Sequence, residues 1–382
     1  MRLGGTKTKI ALVVLLLAGG FAAYWAGYHL WGRHHYQAAQ ESLKRREFRQ
    51  AGIHLRTCLD AWPRDPSIRL LAAQAARRGG ALDEAKRHLE IHATQKAQTD
   101  ERGREYQLLY IQEGDLRGAD RLLDRALADP TASEEYLVLE TIIDAKVKLL
   151  TSAHDSGMTL VEGPAGEERD RTDRAIEVWR EVRPEKADQV QGLVWRGRIH
   201  LLLNLQEAAA DFRKALELDP NHFDARLLLA IALAESSPRE AAGHLEILRG
   251  REPQNIRVSI YLASTLRGLG QLAEAQRILD DVLTANVDHS QALLERGKTA
   301  LDAAHPDEAE PFLRRALART PGEPFVHLAL SRCLHLQGKA EEARYHQQKH
   351  SEIESERTRI RQLHDEEARI AWRKRVEQGK DR

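Results

Sequence analysis

The sequence predicts an all-α protein in which helical hairpins stack into a solenoid, between a membrane-spanning helix and a long C-terminal helix. Three observations lead to this prediction. Aromatic residues are only 5% of the 382 residues, and leucine, alanine, glutamate and arginine dominate, a composition typical of helices. Apolar residues, in most cases followed by a proline, recur at intervals of roughly thirty-odd residues. Residues 10–31 carry no charged side chain.

The N-terminal segment of residues 10–31 is long enough to cross a membrane as one helix. At about 1.5 Å per residue it would span a hydrocarbon core of about 30 Å. Residues 1–9 contain three basic side chains and would form a short cytoplasmic tail. Aromatic residues of the kind that settle at a membrane interface crowd its far end: Tyr24, Trp25, Tyr28 and Trp31. This pattern predicts a single-pass protein of the cytoplasmic (inner) membrane, with its repeats outside the cytoplasm.

Two alternatives for this segment stay open. Ile10 to Ala18 is a short apolar core followed by small residues, which is typical of a cleaved secretory signal. Five basic residues from Arg33 to Arg49 also favour a cytoplasmic location for the part of the chain that follows the segment, which would invert the topology. The anchor and the cleaved signal both export the repeats, whereas the inverted topology does not.

The stretch of residues 211–225 is the clearest example of the recurring pattern. Three apolar side chains share one face of its first helix: Phe212, Ala215 and Leu218. Pro220 lacks an amide donor and ends that helix. Asp224 is expected to accept hydrogen bonds from the first amides of the next helix. The pattern therefore predicts two short helices folded back on each other.

The same pattern recurs along most of the chain. Its second helices share a set of key alanines: Ala51, Ala85, Ala119, Ala175, Ala241, Ala275, Ala309 and Ala343. Small residues precede most of the key alanines by about twelve positions, or by one fewer at Gly197 and Ala230: Ala39, Ala73, Gly197, Ala230, Ala263, Gly297 and Ser331. They indicate places where the two helices of a hairpin approach closely.

This pattern resembles the tetratricopeptide repeat family, whose unit is a helical hairpin of about 34 residues with small residues at the close approach. The resemblance extends over about nine units, from residue 32 to about residue 350. It implies a right-handed superhelical solenoid whose first helices line a concave face, and a protein or peptide partner on that face. Each hairpin would bury its apolar faces only against its neighbours.

The repeats divide the chain into N-terminal units over residues 32–150 and C-terminal units over residues 172–340. Between them, residues 151–171 contain three glycines and a proline and are expected to form a loop insertion. We interpret this loop as a mobile surface loop, and the alternative is a loop that grips a ligand. Residues 341–382 have few breakers and predict a helix that caps the last hairpin and then projects.

Catalytic motifs are weak throughout. Gly297, Lys298 and Thr299 resemble the end of a phosphate-binding loop, but Ala292 stands where that motif needs its first glycine. Residues 154–156 are histidine, aspartate and serine, yet adjacency in sequence does not assemble a catalytic triad. Two cysteines far apart exclude a disulfide framework and a cysteine-rich zinc site. We expect no enzymatic activity and no cofactor.

The C-terminal helix carries the one candidate metal pattern. Glu342, His346, His350 and Glu354 recur at every fourth residue and lie near one helical face. His346 and His350 could share a metal ion. The interpretation that we prefer is a solvated helix face without a metal.

The candidate contact residues are cations on the first helices of the repeats. Following the repeat phase, they are Arg77, Arg198, Arg267, Lys298 and Arg332. A basic groove in a chain of zero net charge would suit acidic peptides or carboxylates, whereas arginines also decorate helices without any role. The neutral net charge gives no reason to expect nucleic acid binding.

Three functional hypotheses follow. The first is a non-enzymatic, membrane-tethered scaffold that binds a protein or peptide on its concave face to assemble or localise an envelope complex. The second is an accessory subunit of a cell-envelope biogenesis machine. The third, which the sequence favours least, is a metal-dependent enzyme that uses the histidines or the long loop.

Overall fold

The computed structural model describes residues 19–20, 27–96, 99–115, 118–131, 135–155 and 164–380. Over these residues the chain consists of helices joined by short turns, without a strand. The first helix, α1, covers residues 27–44. The others are α2 (Phe48–Ala61), α3 (Pro66–Arg78), α4 (Leu82–Gln95), α5 (Asp100–Gln112), α6 (Ala119–Ala128), α7 (Glu135–Asp155), α8 (Pro164–Val182), α9 (Lys186–His200), α10 (Leu205–Leu218), α11 (Phe223–Leu233), α12 (Pro238–Arg251), α13 (Ile256–Gly268), α14 (Leu272–Ala285), α15 (Ser290–Asp302), α16 (Pro306–Arg319), α17 (Pro324–Leu336) and α18 (Ala340–Lys380).

Consecutive helices pack as hairpins, among them α3 with α4, α13 with α14, α15 with α16 and α17 with α18. We call the odd-numbered helix of each pair its A helix and the even-numbered helix its B helix. From α10 to α18 each helix packs against the next along the chain. In addition, α15 touches the A helices on both sides of it, α13 and α17. The A helices of the last three hairpins therefore lie side by side.

The helices form two compact units. Unit 1 comprises Met1–Ala145 and Glu181–Asp188, and unit 2 comprises Lys146–Arg180 and Gln189–Arg382. Unit 1 contains one apolar cluster around Ala51, Leu55 and Cys58 and a second one around Leu89 and Leu109. Unit 2 contains a continuous apolar core from Val190 to Ala343.

The predicted small residues lie where the helices of a hairpin cross. A Cβ atom added to Gly197 would lie 2.5 Å from Cε1 of Phe212, and one added to Gly297 would lie 2.5 Å from Cδ2 of Leu313. Ala39, Ala263 and Ser331 are buried at the corresponding positions. The structural interpretation of Gly297, rather than a phosphate-binding loop, is therefore confirmed.

Side chains close the joints between hairpins. The carbonyl oxygens of Pro63, Pro220 and Pro321 each accept a hydrogen bond from the side chain six residues later, which is Arg69, Arg226 and His327 respectively. The carbonyl oxygen of each of these helix-ending prolines is thus hydrogen-bonded by a side chain of the next A helix. At the joint between α10 and α11, the sequence predicted the wrong capping residue. His222, not Asp224, caps α11, because its Nδ1 accepts from the amide of Ala225 at 3.1 Å.

Unit 1 also holds a network of mostly buried charges. Arg46 donates to Glu140 at 3.0 Å and to Asp188 at 2.9 Å, and Arg78 donates to Glu140 at 2.9 Å. Arg183 completes the network with a 2.7 Å ion pair to Asp188. Burial by itself would raise the pKa of Glu140, but the charges of Arg46 and Arg78 outweigh it and lower that pKa to about 2.

The first hairpin begins inside the segment that was predicted to span a membrane. Tyr28 and Trp31 belong to α1, and the Tyr28 hydroxyl donates to the carbonyl oxygen of Asp60 at 3.0 Å. Trp62 of the same hairpin donates from Nε1 to Nδ1 of His29 at 2.7 Å. The last residues of the predicted span therefore contact the second helix of the first hairpin and the residue after it.

The rest of that prediction lies outside the described residues, including Tyr24 and Trp25. Among the residues that the structure does describe, no helix combines the length and the apolar character needed to cross a membrane.

The boundaries of the predicted loop at residues 151–171 also change. α7 continues to Asp155 and α8 begins at Pro164, so both flanks of this stretch are helical. Residues 156–163 lie outside the described part of the chain. Glycine and proline at residues 163, 164 and 166 suggested a longer interruption, but Pro164 takes the first position of a helix, where a missing amide donor costs nothing.

Candidate partner-binding surface

The A helices of the last three hairpins repeat in one register. α13, α15 and α17 begin at residues 256, 290 and 324 and each has 13 residues. Positions 34 apart therefore form rows across the three helices, and Ser264, Lys298 and Arg332 share one such row. We define the A-helix surface by the exposed or half-exposed residues of these rows that matter below: Arg267, Gln291, Lys298, Asp302, Phe325, Leu328 and Arg332.

Asp302 joins the three helices by ion pairs. Its Oδ2 accepts from Nη1 of Arg267 on α13 at 2.7 Å, and its Oδ1 accepts from Nη1 of Arg332 on α17 at 3.0 Å. Partial burial alone would raise the pKa of Asp302, but these two hydrogen bonds outweigh it and hold the pKa below its usual range. Asp302 therefore stays ionised and fixes both guanidinium groups.

Glu295 neutralises Lys298, the third predicted contact residue on this surface. Nζ of Lys298 donates to Oε1 of Glu295 at 2.8 Å, and Nε of Arg267 lies 3.5 Å from Oε2 of the same carboxylate. Glu295 is 8% exposed. Three cations thus share two carboxylates, so this part of the surface is close to neutral rather than strongly basic.

A groove of about 360 Å³ runs between α15 and α17. Apolar side chains on its walls are those of Leu294, Phe325 and Val326, and its polar rim includes Gln291, Glu295 and Lys298. Phe325 is 53% exposed. The equivalent positions of the two preceding A helices, α13 and α15, carry the polar residues Arg257 and Gln291. Such a half-exposed aromatic beside a cleft is a common anchor point in protein interfaces.

Leu328 extends this apolar character along α17. It is 39% exposed, whereas its counterpart one repeat earlier, Leu294, is only 8% exposed. Among the described helices, α15 packs against an A helix on each side, α13 and α17, whereas the A helix that α17 packs against is α15. Phe325 and Leu328 lie three residues apart and therefore share one side of α17.

The other two predicted contact residues lie elsewhere. Arg198 is half-exposed on α9 and makes no ion pair with another described residue. Arg77 is 1% exposed, and its guanidinium donates to Glu105 at 2.8 Å and to Thr141 at 2.7 Å. A partner cannot reach this enclosed side chain, so Arg77 is not part of the surface.

The structure separates the two histidines that the sequence grouped as a candidate metal site. His346 is 6% exposed and its Nδ1 lies 2.9 Å from Nδ1 of His327, while Nδ1 of His350 lies 3.1 Å from the carbonyl oxygen of Pro324. Within the described chain, no three histidine, cysteine, aspartate or glutamate side chains converge as metal ligands. The preferred interpretation of a solvated face was wrong for His346.

Sequence reasoning missed Glu295 and Asp302 because it selected cations only. A signal was present, since these acids stand three residues before and four residues after Lys298, the spacing at which helix side chains become neighbours. It also missed His327, whose contact with His346 depends on how α17 and α18 pack.

Family comparisons match the described hairpins. Three family models, each described as a tetratricopeptide repeat, match residues 26–89 and 294–351, residues 232–296, and residues 193–222. Together these matches cover more than half of the chain. The first match begins at residue 26, inside the predicted span.

Comparisons with individual proteins are more distant. The human protein described as IFIT1 homolog B is 26% identical over 143 residues, which is 35% of this chain and 30% of that relative. A structure titled as the functional characterization of PilF from Pseudomonas aeruginosa shows 19% identity and a TM-score of 0.39, covering 50% of this chain and 92% of PilF. A thermophilic TPR protein of Thermus thermophilus shows 22% identity and a TM-score of 0.40, with coverages of 49% and 98%.

Proposed function

The chain belongs to the tetratricopeptide repeat family, and on that premise we propose that it is a non-enzymatic scaffold that binds a protein or peptide on its A-helix surface. The observation that carries this proposal is the pair of exposed apolar residues, Phe325 and Leu328, beside the groove between α15 and α17. Exposed apolar side chains next to a cleft favour association, because covering them removes apolar area from water.

The ion pairs around Asp302 suit such a platform. They hold three A helices at fixed spacing, so that little ordering of the surface is needed when a partner binds. Arg332 is 56% exposed and Lys298 is 28% exposed, so both still present positive charge at the edge of the groove. The partner segment that fits this chemistry places an apolar side chain against Phe325 and an acidic group near Lys298 or Arg332.

Site-specific photo-crosslinking tests this proposal in cells. A photo-reactive residue at Gln291, on the rim of the groove, should give an adduct with another protein, and one at Arg277, on B helix α14, should not. The double variant Phe325→Ala with Leu328→Ala should reduce the Gln291 adduct at least tenfold, because the loss of apolar contacts at an interface centre costs more than about 1.4 kcal/mol.

A matched control is available on two B helices. Ile247 and Leu218 are 45% and 36% exposed, and their double alanine variant removes a similar amount of exposed apolar surface away from the groove. The adduct should persist in this control. Equal adducts in all three proteins would assign the partner to another surface.

We further propose that the scaffold is tethered to the cytoplasmic membrane, with its repeats outside the cytoplasm, where it assembles or localises an envelope complex. The charge-free run of residues 10–31 supports this tether, because a spanning helix needs roughly 17–25 apolar residues.

A fractionation experiment tests the tether. The full chain should remain with membranes after carbonate washing and should be released when Leu15 and Leu16 are both changed to Arg, because charges at the centre of a span are costly. A cleaved signal would instead give a shorter mature chain in the soluble fraction. A reporter after residue 60 that is active only in the cytoplasm would show the inverted topology.

A further inference from the structure

Two histidine pairs occupy equivalent positions in the first and the last hairpin. His35 on α1 and His54 on α2 approach to 2.9 Å between their Nδ1 atoms, and so do His327 on α17 and His346 on α18. Each A-helix histidine stands four residues before the small residue of its hairpin, which is Ala39 or Ser331. Each B-helix histidine stands three residues after the key alanine of its hairpin.

The last pair is buried and its proton arrangement follows from its partners. His327 and His346 are each 6% exposed. Nε2 of His327 lies 3.1 Å from the carbonyl oxygen of Pro321, which can only accept, so this nitrogen carries a proton. When His327 is neutral, its Nδ1 is therefore bare and accepts the Nδ1 proton of His346. This arrangement leaves Nε2 of His346 as the only ring nitrogen of the pair that can take up a further proton.

The pair can hold one extra proton in this geometry but not two. A second proton would have to bind Nδ1 of His327, which would place two N–H groups face to face at 2.9 Å and two positive charges in a buried contact. If α18 separates from α17, both rings reach water and both can ionise. Protonation of the two rings and closure of the hairpin therefore exclude each other.

Taken together, the surroundings of the pair also disfavour protonation of His346. Burial of His346 is the main cause that lowers its pKa, followed by the neighbouring His327 and by Arg314 on α16, while Glu342 on α18 opposes the shift. Arg314 is held in place by Glu310 at 2.7 Å and by Glu342 at 2.9 Å, so much of the charge of Glu342 is already engaged. Nδ1 of His350, one helical turn beyond His346, lies 3.1 Å from the carbonyl oxygen of Pro324.

We propose that the His327–His346 contact is an acid-sensitive latch that holds α18 against α17 and releases it when both rings are protonated. The sign follows from linkage. The open hairpin binds more protons than the closed one, so closure is most stable above about pH 6.5, the unperturbed value for histidine, and becomes less stable as the pH falls below it. Opening should become about tenfold more favourable per pH unit for each extra proton bound.

Amide hydrogen exchange tests the latch. In the full chain, the amides of residues 343–355 in α18 should lose about tenfold protection between pH 6.5 and pH 5.5, after correction for intrinsic exchange. The amides of the α15–α16 hairpin should not, because Leu293 and Phe312 stand at the two positions that His327 and His346 occupy 34 residues later.

That neighbouring hairpin supplies the matched variant. His327→Leu with His346→Phe reproduces the Leu293 and Phe312 pair and should abolish the pH dependence in α18. His335→Gln, which changes an exposed histidine at the end of α17, should leave it intact. Protection in the native chain that does not vary with pH, or a double variant that keeps the same pH dependence, would overturn the proposal.

A second measurement covers the case in which the double variant holds α18 poorly at neutral pH. Titration of the His346 ring by NMR in the native chain should show a midpoint below 6.5 that coincides with the loss of protection. A titration of the His346 ring without any change in α18 would equally refute the latch.

Discussion

Gly297 illustrates how little space separates the two helices of a hairpin. A Cβ atom at this position would lie 2.5 Å from Cδ2 and 2.6 Å from Cγ of Leu313, which is fully buried. Leu313 would have to move within a packed core to accept it. The small residue is therefore required by packing and not by a ligand.

Changing Gly297 to Ala should lower the free energy of unfolding by about 1–3 kcal/mol, the usual cost of overpacking a core. Urea denaturation followed by circular dichroism measures this. Gly243 in α12 has no atom near its Cβ direction, so Gly243→Ala is the control and should stabilise the protein by about 0.5–1 kcal/mol through helix propensity. A neutral Gly297→Ala variant would contradict the close approach.

Glu140 shows a second residue-scale effect, because buried arginines hold it ionised. With a pKa of about 2 in the folded chain and about 4.3 when unfolded, its charge stabilises the fold above the unfolded value and loses this effect as the pH falls towards 2. Glu140→Gln should therefore cost about 3 kcal/mol at pH 7 and about half of that at pH 3.

Urea denaturation of both proteins at the two pH values checks this difference. The control is Glu84→Gln, which removes a pair with Arg56 whose side chains are 35% and 72% exposed. Its effect should stay below about 0.5 kcal/mol at either pH, as for most surface ion pairs. A cost for Glu140→Gln that is equal at pH 7 and pH 3 would contradict the lowered pKa.

At the residue scale, the sequence predicted the small positions but not the charge partners. Periodicity located Gly197 and Gly297, since the repeat phase fixes which residue faces its own hairpin. It did not find that Arg77 is enclosed by Glu105 and Thr141, because these partners lie 28 and 64 residues away. Such partners are brought together only by the packing of several helices.

Among the helices, α18 both completes the last hairpin and gives the array a polar end, and the sequence predicted a capping part and a projecting part for it. As the B helix of the last hairpin it packs against α17, where the Ser331 hydroxyl donates to the carbonyl oxygen of Ala343 at 2.8 Å. Further along, Arg357 reaches back to Glu323 at 3.3 Å. Positions that are apolar and buried in α16, such as Leu313 and Ala316, become Gln347 and His350 in α18, which gives the end of the array a polar cover.

A chain that stops after Gln362 should therefore unfold at the same urea concentration as the full chain. A chain that stops after Lys339 should lose most of the amide protection of α17, because its buried side chains become exposed to water. Hydrogen exchange of peptides from α17 distinguishes the two truncations. If α17 stays protected without α18, the contact between these helices does not stabilise the hairpin.

The sequence predicted helix boundaries correctly where a proline marks them. It did not predict the environment of residues whose contacts lie on another helix. Pro220 and Pro321 separate helices as predicted. Tyr28 was predicted to lie at a membrane interface because of its aromatic character, but its hydroxyl donates to Asp60, and the neighbouring His29 accepts from Trp62. An aromatic residue fits either environment, and only its neighbours decide.

For the whole molecule, the repeat architecture makes stability a sum over neighbouring hairpins. Trp179 of α8 packs edge-on against Trp195 of α9 at 5.0 Å between ring centroids, and both are almost fully buried. Removal of α8 should therefore weaken α9 and leave distant hairpins unaffected.

A fragment of residues 186–362 should fold into a helical protein with native amide protection in α13–α17 and reduced protection in α9. A longer fragment of residues 164–362 should restore protection in α9, since Trp179 then covers Trp195 again. Circular dichroism and hydrogen exchange test both fragments. A shorter fragment without helical structure would show that the C-terminal hairpins depend on residues far from them in sequence.

The sequence by itself determined the class of this protein, because a period of about 34 residues and the small positions within it depend only on local spacing along the chain. The same information showed that the first helices form one row, which placed Lys298 and Arg332 on a common surface. Tertiary structure decided the chemistry of that surface. Asp302 and Glu295 neutralise the cations, Phe325 and Leu328 remain exposed, and His327 meets His346. These contacts join different helices, so their distances depend on how hairpins pack and not on spacing within one helix.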